Sequence, residues 1–243
     1  MIVEPLAASA VLTAWERGRS QGPTDRALTL LELSVPAATR DALSDLTVGR
    51  RDALLLELRA RCFGSVAPCV VRCPSCDETL ELSIPLRDLR VAPPDATETT
   101  LHIEGRAVRV RAVTSRDLLA VDALTDPKAA AAALLARCAK VDDADPTETS
   151  SLRPDMIDAV TAEMARLDPQ ADVRLDLSCA ACGDTWTSLF DVGAYLWHEV
   201  ETEAQRLFLE VGQLARMFAW SEREILAMSA ARRQAYLRLI EPR

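Results

Sequence analysis

Glycine is scarce in this 243-residue chain, with eight in all, and none stands in a phosphate-cradling pattern. G-x-x-x-x-G-K-[ST] and G-x-G-x-x-G are absent, as is the nucleophile elbow G-x-S-x-G. Aromatic residues make up only 4% of the chain, and few stand near its arginine clusters, so base-stacking platforms are lacking. The charge balance is −9 with a pI near 4.9, which disfavours a protein that neutralises phosphates or lies on an anionic membrane. No run of about eighteen apolar residues occurs that could span a bilayer. The opening "MIVEPLAASAVLTAWERGRS" has no basic leader, and Glu4, Pro5 and Glu16 interrupt its apolar residues, so no signal peptide is read. These absences predict a soluble, cytoplasmic protein with no membrane partner, no small-molecule substrate and no enzymatic activity.

What is present is a 49% hydrophobic content, enough for a real core, and seven cysteines. An odd number in a reducing compartment argues for thiols rather than bridges, which makes metal binding the leading use of any clustered pair.

Two stretches read as linkers: "RVAPPDATETT" (Arg90 to Thr100) and the acidic "VDDADPTETSSLRPD" (Val141 to Asp155). They divide the chain into segments 1–90, 91–150 and 151–243. In the first, helices are predicted over Ser9–Arg17, Thr24–Leu33 and Val48–Cys62, the last capped by Thr47 and stopped by Gly64. The period then changes to two over Val66–Arg72 and Thr79–Ile84, a hairpin. A second hairpin turns at Gly105, and Thr114 with Asp117 opens a short helix with a capping signature. "PKAAAAALLARCAK" reads as a helix by propensity, and Met156, Val160, Met164 and Leu167 form one stripe of another. Strands "DVRLDLS" and "TWTSLF" follow. Leu196, Val200, Ala204, Leu207, Val211, Leu214 and Phe218 then mark a long amphipathic helix over Asp191–Phe218, with two short helices beyond it.

The most informative feature is a pair of C-x-x-C turns. Cys73-Pro-Ser-Cys76-Asp-Glu-Thr aligns without gaps on Cys179-Ala-Ala-Cys182-Gly-Asp-Thr, so that Glu78 falls on Asp184 and Thr79 on Thr185. Each turn lies between two apolar strands, an internal pseudo-repeat. Zinc takes four ligands in a tetrahedron, and one such turn supplies two thiolates. Cys73, Cys76, Cys179 and Cys182 together complete a closed structural site, a zinc ribbon split across the chain. In small modules such an ion contributes roughly 10 kcal/mol to folding. The fold class is therefore α+β: two β-hairpin knuckles sharing one zinc, N-terminal helices, and a long C-terminal helix followed by two short ones. A redox dithiol is the competing use of C-x-x-C, though no thioredoxin-like βαβ setting surrounds either turn.

Among the other candidates, Cys69 could substitute as a ligand or sit in the strand, while Cys62 and Cys138 read as core residues on helix faces. His102 and His198 are isolated. The carboxylates of "VDDADPTE" and "HEVETEAQ" read as a solvated linker and a solvated helix face. Zinc ribbons also serve nucleic-acid binding, and Arg50, Arg51, Arg59 and Arg61 share one helix while Arg232 and Arg233 share another. Nucleic acid remains an unfavoured partner against the acidic background.

The stretch "FDVGAYLWHEVETEAQRLFLEVGQLARMFAWSEREILAMSAARRQAYLRLI", preceded by "DPQADVRLDLSCAACGDTW", resembles the baseplate hub assembly proteins of T-even-type phages and of phage-like contractile injection systems. "WERG", "GRRDALLLELRARCFG", "CPSC" and "TSRDLLAV" resemble the family's earlier landmarks in the same order; "CAAC" departs in lacking a proline after its first cysteine. The resemblance implies a non-enzymatic assembly factor or adaptor, with baseplate hub or spike proteins as partners. Trp220, Ile225, Leu226, Met228, Tyr236, Leu237 and Ile240 crowd the last two helices. They would make a helix-in-groove surface for such a partner, or fold back on the long helix as core.

Overall fold

The computed structural model describes residues 1–141 and 154–240. It opens with α1 (Ala8–Gly18), α2 (Pro23–Ser34), a short α3 (Arg40–Ser44) and α4 (Val48–Phe63). The α4 boundaries follow from its ends: the Thr47 hydroxyl accepts from the Arg50 amide, and Gly64 leaves the helix at φ +92°. The first hairpin pairs β1 (Val66–Arg72) with β2 (Thr79–Pro85), followed by a 3-10 turn at Leu86–Leu89.

A three-stranded antiparallel sheet then combines β3 (Glu98–Ile103), β4 (Arg106–Arg111) and β5 (Ala139–Val141) in the order β3-β4-β5. Between β4 and β5 lie α5 (Ser115–Val121), which carries the expected Thr114–Asp117 capping box, and α6 (Pro127–Cys138). Two boundaries differ from expectation. The proline-rich linker is shorter, because Glu98 to Thr100 pair with β4, and Ala139 and Lys140 leave the predicted helix to become the edge strand β5. The acidic linker lies largely outside the described residues.

After α7 (Pro154–Leu167) and a 3-10 turn at Pro169–Ala171, the second hairpin pairs β6 (Arg174–Ser178) with β7 (Thr185–Leu189). The chain ends in α8 (Val192–Phe218), α9 (Glu222–Leu226) and α10 (Ala230–Ile240). Among the described residues no helix is long and apolar enough to cross a membrane.

Three apolar clusters hold these elements. The largest joins α1, α2 and α4 to the first half of α8, with Leu28, Leu31, Leu55, Leu58, Leu196 and Leu207 fully buried. A second packs the expected α7 stripe, Met156, Val160 and Leu167, on Val108 and Val110 of β4. In the third, Ile225 and Leu237 close over Leu214. Polar ties return the chain to its beginning: Asp168 Oδ2 accepts from the Gly49 amide at 2.7 Å, and Gln170 bonds both Leu89 O and the Val91 amide.

The contact of α1 with α8 depends on Gly18. A Cβ there would lie 2.1 Å from the six-membered ring of Trp197, itself buried. Gly18→Ala is expected to cost about 1–3 kcal/mol, the usual penalty of forcing an atom into a packed core. Chemical denaturation of the purified variant checks this, and an unchanged midpoint would show that Trp197 moves freely.

Candidate metal centre

Both C-x-x-C turns are built by the same backbone plan. In the first knuckle the Cys73 amide donates to Glu78 O at 2.9 Å and the Asp77 amide to Cys73 O at 3.0 Å. In the second, the Cys179 amide donates to Asp184 O at 2.8 Å and the Gly183 amide to Cys179 O at 2.9 Å. The equivalent residues Asp77 and Gly183 adopt left-handed φ of +58° and +77°. Glycine takes this conformation without strain, and aspartate is one of the few other residues that tolerate it. Closing residues match too: Arg72 pairs with Thr79 and Ser178 with Thr185 at the tops of the two ladders. The gapless alignment read from sequence is thus a structural repeat.

The two turns meet tip to tip. Cys73 Sγ lies 3.7 Å from Cys182 Sγ, Cys76 Sγ lies 3.6 Å from Cys179 Sγ, and all four sulfurs fall within 4.8 Å of one another. Cys73 and Cys179 are buried, whereas Cys76 and Cys182 face solvent. Ser75 Oγ donates to Asp184 Oδ2 at 2.5 Å and adds a polar link between the knuckles. At the other end of the hairpins, the Tyr195 hydroxyl at the start of α8 donates to Pro68 O at 2.8 Å. Arg59 of α4 ties Val66 O to Glu199 of α8. Because β7 runs directly into α8, this helix aligns the bases of both hairpins while the sulfurs align their tips.

Backbone amides are aimed at the sulfurs. Those of Cys182 and Ala181 favour the Cys179 thiolate and bring its pKa down to about 7. The Glu78 amide acts likewise on Cys76, but the sulfurs of Cys182, Cys179 and Cys73 outweigh it and push that thiol up to about 12. Cys182 is raised despite the Asp184 amide and the Cys76 sulfur, by desolvation and by the Cys73 and Cys179 sulfurs. Four sulfurs this close together oppose multiple thiolates by like-charge repulsion. A metal ion supplies the missing positive charge, and four sulfurs at these spacings could hold one with no position left for water.

The remaining candidates are placed elsewhere. Cys69 is outside the four-sulfur group, half-buried in β1, and Cys62 accepts from the Leu6 amide at the edge of the main core. Cys138 is buried but in polar company, with its thiol 3.8 Å from Asp117 Oδ2 and raised to about 11 by burial. Asp117 in turn accepts from Arg111 and Arg137. The arginine clusters are largely spent on internal pairs. Arg51 pairs with Asp52, Arg59 with Glu199, Arg61 with Glu57, and Arg233 with Glu210 inside the protein, and Arg232 stacks on Tyr236. The reading of "HEVETEAQ" as wholly solvated is corrected at Glu199, whose two oxygens are engaged by buried Arg59. No local signal marks that pair, since its members are 140 residues apart.

In the tail, Ile225 and Leu237 are buried against α8, and Trp220, Tyr236 and Ile240 are half-buried around them. Leu226 packs on the main core, and Met228 is half-buried. Met217 and Leu239 are instead the large apolar residues most exposed in this region.

No curated protein and no solved structure matches the chain. A family model described as T4 bacteriophage base plate protein matches residues 24–197. The span runs from the first turn of α2 into α8, so it encloses both knuckles, the three-stranded sheet and the α8 turn that braces β1, and leaves out α1 and most of the tail. With more than two thirds of its length matched, including both knuckles that supply the four cysteines, the chain belongs to the T4 bacteriophage base plate protein family.

Proposed function

We propose that the chain is a non-enzymatic assembly factor or adaptor for the hub or spike of a contractile-tail baseplate, acting in the bacterial cytoplasm, with one structural zinc as its clasp. The observation that carries the role is family membership over the span that contains both knuckles. For the ion, the supporting geometry is the cross-knuckle sulfur distances of 3.6 and 3.7 Å. A zinc tetrahedron with Zn–S bonds near 2.3 Å has S···S edges of about 3.8 Å. Zinc would offset part of the negative charge of four thiolates, bind Cys73, Cys76, Cys179 and Cys182, and join segments more than a hundred residues apart. Its closed sphere suits a staple and offers no open position for a substrate.

Partner capture is assigned to the two tail helices. Because Ile225 and Leu237 support Leu214, deleting the tail would damage the fold as well as any interface. Met228→Glu with Leu239→Glu leaves that contact intact and is the cleaner probe. Co-expression with the hub and spike proteins of the same gene cluster, followed by pull-down, should capture at least one of them. The double variant should weaken capture about tenfold, the scale of a lost apolar anchor. Unchanged capture by the variant would remove these helices from the interface, and no capture by the wild type would remove the hub or spike role.

A further inference from the structure

Sulfur–sulfur contacts of 3.7 and 3.6 Å join the knuckles, Cys73 with Cys182 and Cys76 with Cys179, while all four sulfurs sit within 4.8 Å. Each cross pair contains one buried sulfur and one exposed sulfur. We infer that the centre is a modification site at which oxidation exchanges the metal clasp for a covalent one, forming cross-knuckle disulfides Cys73–Cys182 and Cys76–Cys179 in place of a disulfide inside either C-x-x-C.

The argument is one of placement. A disulfide needs sulfurs about 2.05 Å apart on side chains already directed at one another. The cross pairs reach that separation after closing by roughly 1.6 Å, a movement shared between two hairpin tips. Exposed Cys76 and Cys182 are open to oxidant, and the buried partner is the sulfur each faces across the knuckles. The product would close loops of 109 and 103 residues and hold the hairpins as the ion does. Such a device lets the clasp persist in surroundings that strip metal or oxidise thiols.

With diamide as the oxidant, the chemistry balances. In each of two steps, two thiolates form one S–S bond and give two electrons to the N=N bond, which takes two protons from water and becomes the hydrazine. A zinc ion held by these thiolates would leave as Zn²⁺. Release of zinc rests on the proposed metal identity, whereas the sulfur pairing rests on geometry alone.

Trypsin gives a direct readout, because Cys73 and Cys76 share the peptide 73–87 while Cys179 and Cys182 share 175–206. Full-length protein is treated with diamide, its thiols are blocked, and it is digested without reductant and analysed by mass spectrometry. The expected result is loss of both free peptides and appearance of one linked species that reductant separates. Two separate peptides, each two hydrogens lighter from an internal disulfide, would overturn the inference. The variant Cys76→Ser/Cys179→Ser should still link its peptides through Cys73–Cys182, and failure to do so would overturn the pairing. Zinc is assayed in parallel with a chromogenic chelator. If the purified protein carries none, the zinc reading fails while the peptide map still decides the pairing.

Discussion

Cys73→Ser and Cys179→Ser are each expected to abolish metal retention, taking elemental analysis of the purified chain from about one zinc to essentially none. These two sulfurs are the buried half of the centre, one from each knuckle, so losing either leaves three donors and opens the sphere to water. Because the ligands must be thiolates, protons compete with the ion and retention should fall as pH drops. The apolar clusters and the Asp168 and Gln170 ties do not pass through the sulfurs. The variants should therefore stay largely folded, with hydrogen-exchange protection lost locally over 66–85 and 174–189. Wild-type protein without metal, or a Cys73→Ser protein that keeps a full equivalent, would eliminate the centre. Two ions per wild-type chain would show that the knuckles bind separately.

Legibility in the sequence followed the range of the interaction. The knuckles were readable because each is a local device: six residues between paired strands, two sulfurs at fixed spacing, and an αL residue at Asp77 or Gly183. The capping box at Thr114 and the stripe of α8 were readable for the same reason. Repetition of the motif implied that the halves pair, which turned a local signal into a long-range prediction. Elsewhere that help was missing. The bond between Asp168 and Gly49 spans 119 residues with nothing in either neighbourhood to announce it. Strand β5 has three residues and exists because β4 offers it an edge, and α3 has five, too few for periodicity to register. The family resemblance leaned on the tail, whereas the family match ends at Trp197 and covers the region that builds the knuckles.

Arg59→Met is expected to destabilise the protein by about 3–5 kcal/mol, the cost of removing one partner from a buried ion pair. The guanidinium is 3% exposed and makes four bonds: Nε and Nη2 to the Glu199 carboxylate at 3.0 and 2.8 Å, and Nη1 to Gly64 O and Val66 O at 2.7 and 2.6 Å. Methionine fills much of the volume but leaves a carboxylate and two carbonyls without their donor. Glu199 is 18% exposed, so water can relieve part of the loss and the lower end of the range is the better estimate. That corresponds to a melting temperature lower by roughly 6–12 °C for a chain of this size. Lysine should rescue little, since one ammonium cannot reproduce the planar fork. Arg59→Met/Glu199→Leu should recover part of the deficit by removing the stranded charge, the signature of an ion pair rather than of lost packing. Because Val66 and Gly64 lead into β1, the single variant should also bind zinc more weakly than the wild type in chelator competition. A melting temperature within 2 °C of wild type, with unchanged metal affinity, would mean that the sulfurs alone position the first knuckle.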